Sequence, residues 1–252
     1  MIGVPRRAGS AVVAALLTLT ACAGAEPGNP AGTSTDAPTV VFAAASLSKV
    51  FDELATADGV KADYSFDGSA ALVDQLAGGA PADVFASADT ATKDRAVSEG
   101  LTDSDPVRFA TNTLVLVTPA DNPGGVTGLD ASLDAARLVV CAPEVPCGRA
   151  TAKLAEAAGV TLKPVSEETK VSDVLGKVTS GEADAGLVYA TDARSAGDKV
   201  HVIEIPQAAQ FVNEYWIVAV KGGDAARAAR FIAAVTGTKG QELLAGYGFG
   251  PA

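Results

Sequence analysis

Two serines stand at boundaries where a predicted strand gives way to a predicted helix. Ser46 follows a β-forming run over residues 40–45 and precedes residues 47–55, whose apolar side chains recur with helical spacing. Ser69 follows a second predicted strand and opens a second helical pattern. Backbone N–H groups at a helix start lack intrahelical partners and carry the positive end of the helix dipole. Such boundaries bind small anions, although a serine there can also serve only as a helix cap.

The elements that would position these serines alternate regularly along the chain. Further strands are predicted over residues 82–86, 113–118, 137–141, 185–189, 200–205 and 211–220. Helical patterns separate most of them, which favours parallel β-α-β units. Residues 119–128 are rich in Pro, Gly, Asp and Asn and predict a crossing into a second lobe. We therefore predict one lobe from residues 39–118 plus 214–252 and another from 119–213, with a ligand cleft between them.

The charge balance limits the partners of this chain. Its 252 residues include 30 acidic and 19 basic side chains and a single histidine, and the formal net charge is −11. Nucleic-acid binding needs clustered Lys and Arg, so we exclude it. Long-range attraction of an anion is also excluded. An anion site in this chain must therefore act through local dipoles and hydrogen bonds.

The first residues have the pattern of an export signal. Arg6 and Arg7 precede a short apolar run over residues 11–19, and small residues follow, which predicts a signal peptide over residues 1–21. Residues 19–22, Leu-Thr-Ala-Cys, resemble a bacterial lipobox, which implies cleavage before Cys22 and lipidation of its thiol; ordinary signal cleavage is the alternative. Residues 22–38 would then be a lipidated flexible tether. The expected location is extracytoplasmic, anchored to the cell membrane by lipid.

A series of short motifs carries a family resemblance. In chain order they include Phe-Ala-Ala-Ala-Ser-Leu at residues 42–47, Gly-Ala-Pro-Ala-Asp-Val-Phe at 79–85, Pro-Glu-Val-Pro at 143–146, Gly-Leu-Val-Tyr at 186–189 and Tyr-Gly-Phe at 247–249. In this order, over residues 39–252, the chain resembles the molybdate-binding proteins of ABC importers. The resemblance implies an α/β class and a two-lobed type II periplasmic-binding-protein fold. Each lobe would be a mixed, mostly parallel sheet flanked by helices, with the ligand between the lobes.

The resemblance also implies a set of ligand-binding positions. In that family neutral donors hold the oxyanion, and no donor ligates the metal directly. Carried onto this chain, these positions are Ser46, Ser69, Cys147, Val171 and Tyr189. The serines would donate through hydroxyl and backbone N–H groups, Cys147 and Val171 through backbone N–H groups, and Tyr189 through its phenol.

Two residues depart from the family pattern near these positions. Asp67 lies two residues before Ser69, where small neutral residues are common, and its carboxylate is expected to face solvent or cap the turn. Cys147 replaces a small neutral residue but keeps its N–H. With Cys22 lipidated in an oxidising compartment, Cys141 and Cys147 form the remaining pair, which predicts a disulfide. A catalytic redox pair would instead favour C-x-x-C spacing.

The expected function is to capture molybdate, and also tungstate, and to deliver it to a membrane permease of an ABC importer. The protein is expected to be a monomer that uses no cofactor and catalyses no reaction. One alternative is the same scaffold binding another tetrahedral oxyanion such as sulfate. An alternative of a different class is a hydrolase or redox enzyme in the cleft. The chain has no G-x-S-x-G motif, and its one histidine, His201, lies on a predicted edge strand. These features disfavour the enzyme.

Overall fold

The structure is a computed structural model that describes residues 37–252. The predicted signal peptide over residues 1–21, the lipidation site Cys22 and residues 22–36 of the predicted tether lie outside the described residues. In the part of the chain that is described, no helix combines the length and hydrophobicity needed to cross a bilayer.

Residues 37–252 contain ten strands and eight α-helices. The strands are β1 (Thr39–Ala44), β2 (Ala62–Asp67), β3 (Val84–Ser87), β4 (Val107–Asn112), β5 (Leu114–Pro119), β6 (Leu138–Cys141), β7 (Ser166–Glu168), β8 (Ala185–Tyr189), β9 (Val200–Ile203) and β10 (Asn213–Ala219). The helices are α1 (Ser48–Asp58), α2 (Ser69–Ala77), α3 (Thr90–Ser98), α4 (Pro146–Ala158), α5 (Val171–Thr179), α6 (Ala190–Ala196), α7 (Ala225–Thr236) and α8 (Thr238–Tyr247).

The strands form two five-stranded sheets, one for each lobe. The first has the order β2-β1-β3-β10-β4, in which β1 is parallel to β2 and β3 while β10 is antiparallel to β3 and β4. The second has the order β7-β6-β8-β5-β9, in which β6 is parallel to β7 and β8 while β5 is antiparallel to β8 and β9. The predicted α/β class with two lobes and mixed sheets is confirmed.

The point where the chain first changes sheets differs from the prediction. Only Thr113 separates β4 from β5, and β5 is hydrogen-bonded within the second sheet. The boundary that the sequence analysis placed after residue 118 therefore moves to Thr113, and residues 114–118 belong to the second lobe. An apolar run shows that a strand is buried but not which sheet contains it. The chain returns to the first sheet in β10.

Each sheet packs its helices around a core of its own. In the first lobe Phe51 of α1 packs against Phe109 and Phe231, with ring centroids 6.1 and 5.4 Å apart. In the second lobe Leu116 and Leu187 are fully buried with the side chains of α4 and α5. Burial of this apolar surface is the main stabilising contribution, and it fixes the helix ends that face the cleft.

Candidate functional site

The five predicted ligand positions meet at one small cavity. Ser46 and Ser69 come from the first lobe, whereas Cys147, Val171 and Tyr189 come from the second, and all five line a cavity of about 20 Å³. Its other lining residues are Ala44, Ala45, Asp67, Gly68, Ala88, Val145, Pro146, Thr169 and Lys170. The structure therefore brings together residues that are far apart in sequence and that belong to different lobes.

Three helices begin at this cavity. Ser69 is the first residue of α2, Val171 is the first of α5, and Cys147 is the second of α4. None of these three helices has a side-chain cap. The first N–H groups of a helix have no intrahelical acceptor, so uncapped donors from both lobes point into the same small space, together with three positive dipole ends.

Ser46 occupies a different kind of boundary from the one predicted. It lies in a 3-10 turn over Ala45–Leu47 that precedes α1, not at the helix cap. Its hydroxyl is 2.9 Å from the hydroxyl of Tyr215. Ser69 does not cap α2 either, because its oxygen accepts the N–H of Ala88 at 3.1 Å. Neither serine serves as an N-cap in the described part of the chain.

The hydroxyls of Ser69 and Tyr189 are each oriented by a hydrogen bond from the protein. Each oxygen accepts a hydrogen bond from outside the cavity: Ser69 from the Ala88 N–H, and Tyr189 from the Nδ2 amide of Asn213 at 3.0 Å. With one lone pair of each oxygen occupied, each hydroxyl hydrogen is available to a ligand. Burial, followed by the neighbouring Tyr215, raises the pKa of Tyr189 well above its ordinary value. The phenol therefore stays protonated at neutral pH.

A second chain of hydrogen bonds supports Ser46. The oxygen of the Asn112 side chain accepts the Thr113 N–H at 3.0 Å, which turns its Nδ2 toward the Thr191 hydroxyl at 2.8 Å and toward Tyr215 at 3.5 Å. Burial raises the pKa of Tyr215, so Tyr215 also remains protonated. A Tyr215 hydroxyl that accepts from Asn112 can donate to Ser46 and free the Ser46 hydrogen for the cavity.

Asp67 and Lys170 face each other at the rim. The Oδ1 atom of Asp67 accepts the N–H of Gly68 at 2.8 Å, so the carboxylate caps the turn. The same atom lies 3.8 Å from the Nζ atom of Lys170, which comes from the opposite lobe. Both side chains are half-buried and of opposite charge, so the pair adds no net charge to the cavity.

Arg149 points away from the cavity. Its guanidinium pairs with Asp89 at 2.6 Å and with the Thr92 hydroxyl at 2.6 Å, both in the first lobe. Asp89 also caps α3 by accepting the Thr92 N–H at 2.9 Å. This ion pair joins the two lobes beside the site without contributing a cation to it.

The predicted disulfide is present. Cys141 at the end of β6 is bonded to Cys147, with their Cα atoms 5.6 Å apart. A Cβ atom on Gly148 would lie 1.8 Å from the carbonyl oxygen of Ala142, so this turn accepts only glycine there. The bridge and the tight contact together hold the Cys147 N–H at the cavity.

Sequence reasoning missed the second layer of the site: Asn112, Asn213 and Tyr215. All three are buried, the two asparagines at 3% and 7% exposure. A signal was present, because Asn213 and Tyr215 are two residues apart in a long apolar strand and so face the same side. A buried asparagine in such a strand needs hydrogen-bond partners.

A larger cavity, of about 550 Å³, lies between α1, α6 and α8. Its lining mixes charges of both signs, including the carboxylates of Glu53 and Glu242. Carboxylates repel an anion, and the five donors lie elsewhere. The small cavity between the lobes is therefore the candidate site.

Comparison with known proteins agrees with this geometry. The chain matches the bacterial extracellular solute-binding protein family over residues 39–250. It belongs to this family. It is 45% identical to the molybdate-binding protein ModA of Mycobacterium bovis over 94% of this chain and 95% of that one.

Two solved structures share the fold. The periplasmic molybdate-binding protein of Azotobacter vinelandii matches with a TM-score of 0.74 and 22% identity, covering 84% of this chain and 98% of that one. The sulfate-binding protein SubI of Mycobacterium tuberculosis matches with a TM-score of 0.66 and 20% identity, covering 85% and 87%. Solute-binding proteins for more than one tetrahedral anion thus share this architecture, and the fold alone does not choose the anion.

Proposed function

We propose that this solute-binding protein captures molybdate, and also tungstate, in the small cavity between its lobes and delivers it to an ABC permease. The observation that carries the proposal is the convergence of neutral donors from both lobes on one cavity. The proposed ligand-binding residues are Ser46, Ser69, Cys147, Val171 and Tyr189. The 45% identity to a molybdate-binding protein over nearly the whole chain supports the choice of anion.

Neutral donors suit a doubly charged oxide. Burying such an ion forfeits its hydration, which costs tens of kcal/mol unless its oxygens regain hydrogen bonds. Each charge-assisted hydrogen bond returns a net of about 1.5–3 kcal/mol. The hydroxyl and amide donors at the five positions, together with three helix dipoles, supply such bonds, and no lysine or arginine stands among the five positions.

A site whose five proposed ligand positions all donate also selects by protonation state. Molybdate, tungstate and sulfate carry no proton at neutral pH, whereas monohydrogen phosphate carries one and needs an acceptor. Size then separates molybdate from sulfate. Small residues (Ala44, Ala45, Gly68 and Ala88) line the cavity, which favours an anion with longer metal–oxygen bonds.

The anion leaves the protein chemically unchanged, so the proposed role is transport and not catalysis. We propose that the chain acts as a monomer, exported by the signal over residues 1–21 and anchored through a lipid on Cys22. Mass spectrometry of the mature protein tests the anchor: a diacylated Cys22 as the first residue supports it, and an unmodified N-terminus refutes it.

Isothermal titration of the purified protein with molybdate, tungstate, sulfate and phosphate tests the proposed function. We expect one molybdate or tungstate to bind per chain, with sulfate much weaker and phosphate weaker still. Sulfate binding equal to or tighter than molybdate binding would establish the sulfate alternative. Absence of binding to all four anions would refute the proposed site.

A further inference from the structure

We propose that Asn213 is a positioning residue that sets the specificity of the anion site by fixing the direction of its hydrogen bonds. This inference rests on the proposed function. Asn213 lies at the start of β10, where the chain returns from the second lobe to the first. Its side chain is 7% exposed and lies behind the donors, not among the cavity-lining residues.

The Nδ2 amide of Asn213 makes two hydrogen bonds. It donates to the Tyr189 hydroxyl oxygen at 3.0 Å and to the carbonyl oxygen of Ala88 at 3.1 Å. A carbonyl oxygen can only accept, so the Ala88 contact requires the nitrogen, and not the oxygen, of the Asn213 amide to face this side. Both hydrogens of Nδ2 are therefore used, and the Tyr189 oxygen is an acceptor toward Asn213.

The same amide reaches a donor in the first lobe through a single residue, Ala88. The Ala88 N–H donates to the Ser69 hydroxyl oxygen at 3.1 Å, while the Ala88 carbonyl is held by Asn213. Asn213 thus supports Tyr189 of the second lobe directly and Ser69 of the first lobe through Ala88. In both hydroxyls the lone pair facing the protein is occupied, which leaves the hydrogen available to the ligand.

One competing acceptor for the Tyr189 hydrogen lies nearby. The Tyr215 hydroxyl adjoins Tyr189, and it also contacts Ser46 at 2.9 Å. A dianion in the cavity is a stronger acceptor than a neutral hydroxyl because hydrogen bonds to charged groups are about twice as strong. Because both Nδ2 hydrogens of Asn213 are donated, Tyr189 cannot donate to Asn213, and its hydrogen is directed either to Tyr215 or to the ligand.

This polarity excludes a protonated oxyanion. Monohydrogen phosphate needs a hydrogen-bond acceptor for its own proton, and the five proposed positions, which all donate, leave that proton unpaired. Without Asn213, the Tyr189 oxygen loses the hydrogen bond that holds its orientation, and the hydroxyl is free to rotate. Tyr189 can then turn a lone pair toward the cavity and accept the phosphate proton.

Competition titrations with molybdate and phosphate on Asn213→Ala test this inference at pH 7.5. We expect molybdate affinity to fall about tenfold and phosphate affinity to stay level or rise. The dissociation constant for phosphate divided by that for molybdate should therefore fall by about the same factor. A purely structural defect would weaken both anions equally, and an unchanged ratio would overturn the inference. Asn122→Ala is the matched control, because the side chain of Asn122 is hydrogen-bonded to the Val126 backbone and lies outside the lining of the anion cavity.

A double-mutant cycle separates hydrogen-bond direction from charge. Asn213→Asp would place a carboxylate that accepts the Tyr189 hydrogen, so it should weaken molybdate more than Asn213→Ala does. In a Tyr189→Phe background there is no phenol hydrogen for the carboxylate to accept. The loss of molybdate affinity that Asn213→Asp causes beyond Asn213→Ala should then shrink at least several-fold. An equal loss in both backgrounds would mean charge repulsion only and would overturn the inference. Wild-type protein that binds none of these anions would instead refute the proposed function.

Discussion

The carbonyl oxygen of Thr169 in the second lobe approaches Gly68 of the first lobe so closely that a Cβ atom on Gly68 would lie 2.2 Å from it. This contact stands at the rim of the cavity, next to the pairing of Asp67 with Lys170. No side chain fits between the two backbones in this arrangement. The closeness of the lobes beside the anion site therefore depends on Gly68 being a glycine.

Gly68→Ala should hold the lobes apart and weaken anion binding. The added methyl group cannot be accommodated by rotation of a flexible side chain, because the opposing atom belongs to the backbone. We expect molybdate affinity, measured by isothermal titration, to fall at least about tenfold. The unliganded protein should melt near the wild-type temperature.

Gly246→Ala is the matched control for Gly68→Ala. Gly246 lies within α8, and an added Cβ atom there meets no atom within 4 Å. It should leave the affinity unchanged and raise stability slightly, because alanine favours the helix. Wild-type affinity in Gly68→Ala would contradict the close contact between the lobes.

Ser46→Ala and Ser69→Ala should each weaken molybdate binding by about 1.5–3 kcal/mol, the net value of one hydrogen bond to a charged group. The two substitutions should differ in their effect on the stability of the folded protein. Ser69→Ala leaves the buried Ala88 N–H without its acceptor and should lower the melting temperature. Ser98→Ala, an exposed serine on α3, controls for the substitution itself. Full affinity in both variants would contradict the assignment of the site.

Reduction of the disulfide between Cys141 and Cys147 should lower both stability and affinity. The bridge closes a short loop, with a sequence separation of 6, and a loop of this length contributes about 2 kcal/mol in the chain-entropy account. The affinity should fall because the Cys147 N–H loses the constraint that holds it at the cavity. Denaturant unfolding and titration calorimetry with and without reductant measure the two effects. Two titratable thiols in the absence of reductant would exclude the bridge.

The residues at which helices begin near the site could be predicted from the sequence, because helix boundaries depend on local patterns. The change from strand to helix near Ser69 is visible as a change of hydrophobic period, and α2 begins at that residue. The role of each donor came from the family resemblance, and the structure places those positions at one cavity.

The second layer and the sheet boundary could not be predicted because they depend on contacts between distant residues. Asn213 lies 125 residues from Ala88 along the chain, and no local pattern encodes that pairing. Strand β4 was missed, and with it the fact that Thr113 alone separates strands of different sheets. Which sheet a strand joins is decided by its hydrogen-bonding partners and not by its own hydrophobicity.

Asp192 should make the stability of the protein depend on pH. It lies in the first turn of α6, next to Tyr189, and its Oδ2 atom is buried without a hydrogen-bond partner among the described residues. Burial raises the pKa of Asp192 from 3.8 to about 7, although the Tyr189 N–H and the Lys49 charge partly offset the rise. The folded protein thus holds a proton on Asp192 that the unfolded chain has already released.

The direction of the effect follows from these two pKa values. Below about pH 4 the carboxyl is protonated in both the folded and the unfolded chain, so its burial does not lower the free energy of unfolding. As pH rises toward 7, the unfolded chain releases this proton while the folded protein keeps it, and the unfolded state is increasingly favoured. The free energy of unfolding of Asp192→Asn should therefore rise relative to wild type by roughly 1.4 kcal/mol per pH unit across this window, then level off above it. Urea unfolding at about pH 4.5, 5.5 and 6.5 gives the slope, and a measurement at about pH 8 checks that it levels off. Asp192→Ala should show the same slope with a different constant offset, since only the offset depends on how the new side chain packs. A difference that does not vary with pH in either variant would contradict the buried, protonated state of Asp192.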